Sequence, residues 1–240
     1  MKKPIIGIVS KHYDTYKSYK IDTFVRDEVK QAIFDNGGIA IGILPTEDKI
    51  NYCDDNWKDN LSIEEKENLI VQLKLCDGIV LQGGAETDKY ESIIAKYCYE
   101  NDIPILGICA GQNNIARALG GTTCKIPNPE KHDKSFDEYV HSISIDKTSK
   151  FYEIVKTDKM KVNSRHKRTI KECPCLDKVA FCEDGYPDVI ESKNKKFYIG
   201  VRFHPESLYK KDENHNRIFE EFIKVCSNEM EKLWNKIQKK

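Results

Sequence analysis

The feature that most constrains the fold is a short apolar run, Ile105–Ile108, which ends at a cysteine bracketed by glycines. A run of this length predicts a strand buried on both faces, and Cys109-Ala110-Gly111 lets a helix begin at once. Gly107 and Gly111 allow neighbouring backbone to approach the turn closely. In an open α/β sheet such a turn holds a nucleophile at the end of a strand, where the helix dipole favours a thiolate. Cys109 is therefore the candidate nucleophile.

A second group suited to the same chemistry lies far downstream, in Phe203-His204-Pro205-Glu206. On an extended segment, side chains two residues apart point to the same side. Glu206 can then orient the imidazole of His204 while His204 faces a thiol, which is the arrangement that activates a cysteine nucleophile. The sequence predicts a catalytic triad of Cys109, His204 and Glu206.

Composition narrows the class of protein. The 240 residues are 39% hydrophobic and 32% charged, with 39 basic and 39 acidic side chains and a net charge of zero. Such a chain lacks the basic footprint of a nucleic-acid-binding protein, and no apolar stretch is long enough to cross a bilayer. The segment Met1–Val9 is too short for a signal-peptide core and has no cleavage site, so it predicts a first strand. We expect a cytoplasmic protein that binds neither nucleic acid nor membrane.

The nine cysteines raise the alternatives of disulfide bonds or a zinc site. Their number is odd, their spacing is irregular, and the one close pair, Cys173 and Cys175, is separated by a single residue. In a reducing compartment we expect most of them to be small core residues, without a structural disulfide or a metal site. Four histidines outside any motif receive no predicted role: His12, His132, His141 and His215.

The first half of the chain alternates strand and helix signals. The predicted strands are Pro4–Val9, Ile39–Leu44, Gly78–Leu81 and the run that ends at Ile108. The predicted helices are Phe24–Asn36, Ser62–Leu73, Tyr90–Asn101 and Gly111–Leu119, the second opened by the capping-box spacing of Ser62 and Glu65. This alternation predicts a central, mostly parallel sheet with helices on both faces. Ligands bind such sheets at the carboxyl ends of strands, where Gln82-Gly83-Gly84 and Cys109 both fall.

After Gly120-Gly121 the pattern changes to short β-type runs. These are Val140–Ile145, Lys161-Val162, Val179–Cys182, Val189-Ile190 and Phe197–Val201. Helical spacing of apolar residues over Asn214–Ile237 predicts a closing helix packed on the core. The polar stretch Asn51–Asn60 predicts a long surface loop. With no linker or repeat, residues 1–240 are predicted to form a single α/β domain with a small β-rich addition in its second half.

Five motifs follow one another along nearly the whole chain. They are Leu81-Gln82-Gly83-Gly84, Gly107 to Gly111 followed by Gly120-Gly121, Val162-Asn163-Ser164-Arg165-His166, Asp184-Gly185, and Val201-Arg202-Phe203-His204-Pro205-Glu206. In this order they resemble the class I glutamine amidotransferase-like superfamily, and within it the γ-glutamyl-γ-aminobutyrate hydrolase branch. The resemblance implies a flavodoxin-like α/β fold and a cysteine-dependent reaction that needs no metal or organic cofactor.

The resemblance also implies roles for further residues. It places the oxyanion hole on the backbone N–H groups of Gly84 and Ala110, one from each glycine turn. It implies a substrate pocket whose candidate contacts are Gln112, Asn113, Ser164, Arg165 and His166.

Several positions depart from the pattern of these families. Amidotransferases usually carry a Gln four residues after the cysteine, where it contacts bound glutamine; here Asn113 holds that place and Gln112 precedes it. Gln82 stands where the hydrolases have Pro, and Arg202 stands where they have Gln. His166-Lys167-Arg168 replaces their His-His-Gln. The added positive charge suits a substrate with an extra carboxylate, although solvated surface side chains would give the same sequence.

These features predict a cysteine hydrolase that cleaves a γ-glutamyl amide bond through a thioester, releasing glutamate and an amine. Its partner would be a small-molecule γ-glutamyl substrate, and a homodimer is compatible with the sequence. Two alternatives stay open: a glutaminase subunit that supplies ammonia to a synthetase partner, and a non-catalytic binding protein on the same fold. Asn113 in place of Gln favours the hydrolase.

Overall fold

The computed structural model describes residues 3–14, 21–45, 61–84, 89–134 and 138–238. Thirteen strands lie within these ranges: β1 Ile5–Val9, β2 Lys11–Asp14, β3 Ile21–Phe24, β4 Ile39–Ile43, β5 Gly78–Leu81, β6 Ile105–Ile108, β7 Thr122–Lys125, β8 His141–Ile145, β9 Lys159–Val162, β10 Arg168–Glu172, β11 Asp177–Cys182, β12 Pro187–Glu191 and β13 Tyr198–Val201. Six α-helices accompany them: α1 Asp27–Asp35, α2 Ile63–Lys74, α3 Lys89–Asn101, α4 Ala110–Ala118, α5 Lys150–Val155 and α6 Glu213–Gln238.

Every strand and helix predicted above has a counterpart close to its predicted bounds. The predicted loop Asn51–Asn60 lies outside the described residues. The elements that the sequence patterns did not predict are short and partly polar: β2, β3, β7, β10 and α5.

Nine strands form one continuous sheet in the order β4-β1-β5-β6-β13-β12-β11-β8-β9. The first five strands of this order run parallel to one another, and the last four join them by antiparallel pairing. The expected α/β class is confirmed. The β-rich second half continues the central sheet, because β13 pairs with β6 on one side and with β12 on the other.

Side chains alternate between the two faces of the sheet, and helices cover both. Ile79 and Leu81 of β5 join an apolar cluster with α2, α3 and α4, whereas Val80 joins the opposite cluster with α1, α5 and α6. In that second cluster Phe219 and Phe222 of α6 are fully buried, as expected of a closing helix packed on the core. Each such side chain contributes about 1.5–3 kcal/mol relative to exposure.

The start of α2 shows the predicted capping box. The Ser62 hydroxyl accepts a hydrogen bond from the backbone N–H of Glu65 at 3.1 Å, and the Glu65 carboxylate accepts one from the backbone N–H of Ser62 at 2.6 Å. Two of the N–H groups that a helix start leaves without partners are thereby satisfied.

One edge of the sheet gathers the chain segments that carry the sequence motifs. The carboxyl ends of β5, β6 and β13 lie side by side there. Because β12, β11, β8 and β9 alternate in direction, the start of β12, the end of β11, the start of β8 and the end of β9 reach the same edge.

Within the described ranges, no helix is both long enough and apolar enough to span a bilayer.

Candidate active site

Cys109 joins the end of β6 to the start of α4 in a strained backbone conformation. Its φ is +52° and its ψ is −102°, values that L-residues rarely adopt. The turn is held by a hydrogen bond from the Cys109 N–H to the carbonyl of Val201 at 2.8 Å. A Cβ at Gly111 would collide with the carbonyl oxygen of Leu81, so only glycine fits there. Strain of this kind at a buried cysteine points to a functional site.

His204 and Glu206 lie immediately after β13. The imidazole Nδ1 of His204 donates to Oε1 of Glu206 at 2.7 Å, and both residues are buried. Asn163 clamps His204 through its main chain: the His204 N–H donates to Oδ1 of Asn163 at 2.7 Å, and Nδ2 of Asn163 donates to the His204 carbonyl at 2.9 Å. No role was predicted for Asn163, although it belongs to the Val162–His166 motif.

The side chains of His204 and Cys109 both pack against Gly83. A Cβ at Gly83 would lie 2.7 Å from Cε1 of His204 and 3.5 Å from Cβ of Cys109, so the glycine backbone packs against both side chains. Each of the two side chains shifts the pKa of the other, as expected of a thiol and an imidazole that are neighbours. The three predicted triad residues therefore lie together, in the order thiol, imidazole, carboxylate.

The electrostatics of the triad favour a thiolate–imidazolium pair. Burial opposes both charges, but the positive charges of His204 and Arg202 bring the pKa of Cys109 below its ordinary value. Burial also lowers the pKa of His204, yet Glu206 and Cys109 outweigh it and raise that pKa to about 10. A cysteine paired in this way is a nucleophile near neutral pH.

Arg202 is fully buried beneath the cysteine turn. Its guanidinium donates to the Cys109 carbonyl at 3.2 Å and to Oδ1 of Asn113 at 2.6 Å. The main-chain N–H of Arg202 donates to the Asp188 carbonyl at 2.7 Å. The extra positive charge noted in the sequence therefore acts on the nucleophile turn itself. Asn113, a predicted substrate contact, has its amide oxygen engaged by this guanidinium.

Gln112, also a predicted substrate contact, is fully buried. Its amide donates to the carbonyls of Asp188 at 3.0 Å and Gly200 at 3.2 Å, which favours a packing role between α4 and the sheet.

The other predicted contacts come from the segment between β9 and β10. Ser164 is fully buried, and its hydroxyl has no hydrogen-bond partner among the described residues. The Nε2 of His166 likewise has none there, while its Nδ1 contacts the carbonyl of Arg168 at 3.0 Å. Burial and the charge of Arg202 hold the pKa of His166 well below its ordinary value, so its ring is neutral. Arg165 is half-buried and donates to the Ser207 hydroxyl at 3.3 Å.

The two predicted oxyanion donors occupy the two glycine turns. Ala110 is the first residue of α4, so its N–H has no acceptor within the helix. Gly84 directly follows Gly83 and is exposed. Both turns end at the same sheet edge, since β5 and β6 are adjacent.

A buried ion pair that the sequence patterns did not reveal underlies the Gly84 turn. Nζ of Lys11 lies 2.5 Å from Oε1 of Glu91, with both side chains almost fully buried. Asn114 of α4 donates to Oε2 of the same carboxylate at 2.5 Å. Methylene groups of Lys11 lie 3.2–3.4 Å from the position that a Cβ at Gly84 would occupy.

The side chain of Gln82, which stands where the hydrolases have Pro, forms three hydrogen bonds with the main chain of neighbouring segments. Its amide donates to the carbonyls of Val9 at 2.9 Å and Phe24 at 3.1 Å, and its oxygen accepts from the Arg26 N–H at 2.8 Å. These bonds fix the strand end that leads into Gly83.

Comparison with known families matches residues 82–206 to the family described as Peptidase C26. The match includes both glycine turns and all three triad positions. Over 176 residues the chain is 31% identical to anthranilate synthase component 2 of Cyanophora paradoxa, covering 71% of this chain and 84% of that protein.

Two further comparisons extend the likeness. The chain is 29% identical over 178 residues to CTP synthase of Chlamydia muridarum, a match that covers 61% of this chain and 33% of that protein. The chain thus spans about a third of the length of the CTP synthase it matches. Among solved structures, the glutaminase domain of Trypanosoma brucei CTPS with bound acivicin superposes with a TM-score of 0.66 at 15% identity, covering 94% of each chain. At that identity the likeness concerns the fold.

Proposed function

Because the chain belongs to the peptidase C26 family of class I glutamine amidotransferase-like proteins, we propose that it is a cysteine hydrolase of γ-glutamyl amide bonds. The observation that carries the proposal is the strained Cys109 turn, whose side chain packs against Gly83 together with an imidazole held by Glu206.

In the proposed first half-reaction, the Cys109 thiolate attacks the side-chain carbonyl carbon of a γ-glutamyl group. The carbonyl oxygen becomes an oxyanion as the sulfur–carbon bond forms. The imidazolium of His204 then donates its proton to the amide nitrogen, the carbon–nitrogen bond breaks, and the amine leaves. The enzyme is left as a γ-glutamyl thioester.

In the second half-reaction, neutral His204 takes a proton from water, which attacks the thioester carbon. The carbon–sulfur bond breaks, glutamate leaves, and the thiolate–imidazolium pair is restored. Glu206 keeps Nδ1 of His204 protonated and stabilises the imidazolium at each stage. These steps use side chains of this chain and water.

The oxyanion in both steps needs donors that are already directed at it. We assign this role to the N–H groups of Gly84 and Ala110. The N–H of Ala110 needs an acceptor from outside its helix, and the adjacency of β5 and β6 supports their convergence. Ser164 and His166, whose buried polar atoms have no partner among the described residues, are the proposed contacts to the glutamyl group.

The proposal is tested by turnover of a γ-glutamyl panel with the purified chain. The panel contains glutamine, γ-glutamyl-γ-aminobutyrate and γ-glutamyl dipeptides, with released glutamate as the readout. Cys109→Ala is the matched control, because a small side chain fits the turn without the thiol. We expect glutamate release from at least one conjugate by the unchanged chain and none from the variant.

The panel also identifies the outcomes that contradict the proposal. Substantial release by Cys109→Ala would remove Cys109 from its role. No release from any conjugate, together with a thiol that resists alkylation, would favour a binding protein on this fold.

A second candidate is a glutaminase subunit that supplies ammonia to a synthetase. It is favoured by the names of the relatives, a CTP synthase and a component of anthranilate synthase. The discriminating measurement is glutamate release from glutamine by the chain alone, and again after adding the proteins that co-purify with it. Release that requires those proteins would support this candidate and contradict the free-standing hydrolase.

We further propose that the reaction takes place in the cytoplasm. All eight cysteines of the described residues are free thiols, and a thiolate nucleophile is best preserved in a reducing compartment.

A further inference from the structure

Two histidines and a cysteine that are distant in sequence meet at the active-site edge of the sheet. His132 follows the short 3-10 helix Pro129–Lys131, His141 begins β8, and Cys182 ends β11. One ligand atom from each side chain lies within 4.8 Å of the others. No metal site was predicted here, because these residues have no ligand-type spacing along the chain.

Two of these three side chains are buried, and one of them has a polar atom without a hydrogen-bond partner in the described part of the chain. His132 is 3% exposed and Cys182 is 6% exposed. The Nδ1 of His132 has no hydrogen-bond partner among the described residues, although a buried ring nitrogen is normally satisfied. His132 therefore carries a buried ring nitrogen that is available to a ligand, within a group that includes a second imidazole and a thiol.

A carboxylate oxygen lies near the Nε2 atom of each imidazole ring. Nε2 of His141 lies 3.0 Å from Oδ2 of buried Asp188, and Nε2 of His132 lies 3.4 Å from Oδ2 of Asp184. Metal-binding histidines typically engage a carboxylate through one ring nitrogen and the metal through the other. The rings of His132 and His141 also pack edge to face, with centroids 5.3 Å apart.

We propose that His132, His141 and Cys182 form a binding site for a zinc-class divalent metal ion. Two imidazoles and a thiolate are ligands that zinc prefers, and water would occupy the fourth tetrahedral position. Zinc–ligand distances of about 2.0–2.3 Å put tetrahedral ligand atoms about 3.3–3.6 Å apart. Closing the present 4.8 Å therefore needs side-chain movements of only about 1 Å.

The site would support the nucleophile turn through Asp188. The carboxylate of Asp188 meets His141, while its carbonyl accepts hydrogen bonds from the Arg202 N–H and the Gln112 amide. Arg202 in turn binds the Cys109 carbonyl. A metal that fixes His141 would thus stabilise the strand end on which the turn rests, which is a structural role.

The test is a cobalt titration of the full chain, with cobalt as a spectroscopic substitute for zinc. We expect one equivalent to bind, with the d–d bands of a tetrahedral centre and a thiolate-to-cobalt charge-transfer band, both removed by zinc. Cys182→Ala should lose the charge-transfer band. Cys98→Ala is the matched control, since Cys98 is also buried but belongs to the cluster on the other face of the sheet.

Further variants make the assignment specific. Cys109→Ala should keep the band, which separates this site from the nucleophile. Asp188→Asn should weaken cobalt binding about 10–100-fold, the usual effect of removing a carboxylate behind a histidine ligand. His141→Gln alters a partly exposed ligand and should lose the tetrahedral bands even if Cys182→Ala fails to fold, as checked by circular dichroism.

The proposal is overturned if the unchanged chain shows no cobalt bands. It is equally overturned if folded Cys182→Ala keeps the charge-transfer band, or if Cys109→Ala loses it. None of these readouts depends on turnover, so the result is independent of the proposed function.

Discussion

The guanidinium of Arg202 donates a hydrogen bond to the main-chain carbonyl of Cys109 at 3.2 Å. A fully buried positive charge thus lies one peptide group from the nucleophile. The same guanidinium reaches Asn113, four residues further along. Arg202 therefore both braces the turn between β6 and α4 and favours the thiolate over the thiol.

Arg202→Gln should raise the pKa of Cys109, because it removes one of the charges that lower it. The pH at which iodoacetamide alkylates Cys109 at half its maximal rate should move upward, and alkylation at neutral pH should slow. Arg202→Lys keeps the charge but loses the forked hydrogen bonds, so its midpoint should stay closer to that of the unchanged chain. Equal midpoints for Arg202→Gln and the unchanged chain would contradict this role.

The pH dependence of kcat/KM should reflect the coupled pair of Cys109 and His204. Below the thiol pKa, which lies under its ordinary value, the nucleophile is protonated and the rate falls. Above about pH 10 the imidazolium of His204 loses its proton and can no longer protonate the leaving amine. A bell-shaped profile with its alkaline limb near that pH is expected. An alkaline limb close to the ordinary histidine pKa would contradict the pairing.

Glu206→Gln should lower the pKa of His204, because Glu206 is the largest contributor that raises it. The alkaline limb should then move to lower pH. By comparison with serine-type triads, kcat should fall on the order of 10⁴-fold in Glu206→Gln and on the order of 10⁶-fold in His204→Ala. The reverse order of loss would mean that the roles of orienting group and base are misassigned.

Gly83→Ala should impair turnover while leaving the fold intact. The added Cβ would lie 2.7 Å from Cε1 of His204, so the imidazole must shift away from the thiol. A displacement of about 1 Å at reacting groups can cost about 10²-fold in rate. Gly42→Ala is the matched control, because its Cβ meets Val25 at an ordinary 3.7 Å. Equal kcat/KM for the two variants would show that Gly83 does not set the position of His204.

Glu91→Leu should destabilise the chain strongly, because it leaves Lys11 buried without its carboxylate. Breaking a buried pair from one side costs about 3–5 kcal/mol, whereas replacing both partners by apolar groups is far less damaging. The measurement is urea unfolding of Glu91→Leu and of the double variant Lys11→Met/Glu91→Leu. If the double variant is no more stable than Glu91→Leu, the pair is not the source of the loss.

The sequence predicted the structure well where the local conformation depends only on neighbouring residues. The apolar run before Cys109 and the capping-box spacing of Ser62 and Glu65 depend on near neighbours, and β6 and α2 lie where these patterns predicted. The strand-and-helix alternation likewise predicted the α/β class. The hairpin of β2 and β3 was not predicted, because its two strands are short, most of their residues are polar, and their hydrophobicity shows no clear period.

The sequence was less informative about the residues that line the proposed substrate pocket. The family resemblance implied that Gln112 and Asn113 contact substrate. In the structure the amide of Gln112 bonds to the sheet and the oxygen of Asn113 to Arg202. The direction of a side chain at a helix start depends on which strand end it meets. That information is absent from the local sequence.

By itself, the sequence determined the order of strands and helices, the glycine-bracketed cysteine and the His-Pro-Glu segment, because backbone conformation and hydrophobic periodicity are short-range properties. Only the tertiary structure decided that Lys11 pairs with Glu91, and that His132 and His141 lie beside Cys182. These residues are far apart along the chain. The pairing of β8 with β11 brings His141 near Cys182, whereas the packing of other segments against the sheet places Lys11, Glu91 and His132. Long-range contacts of buried polar groups depend on the tertiary packing, because a buried polar group needs a partner and only the packed fold decides which groups are close enough to serve.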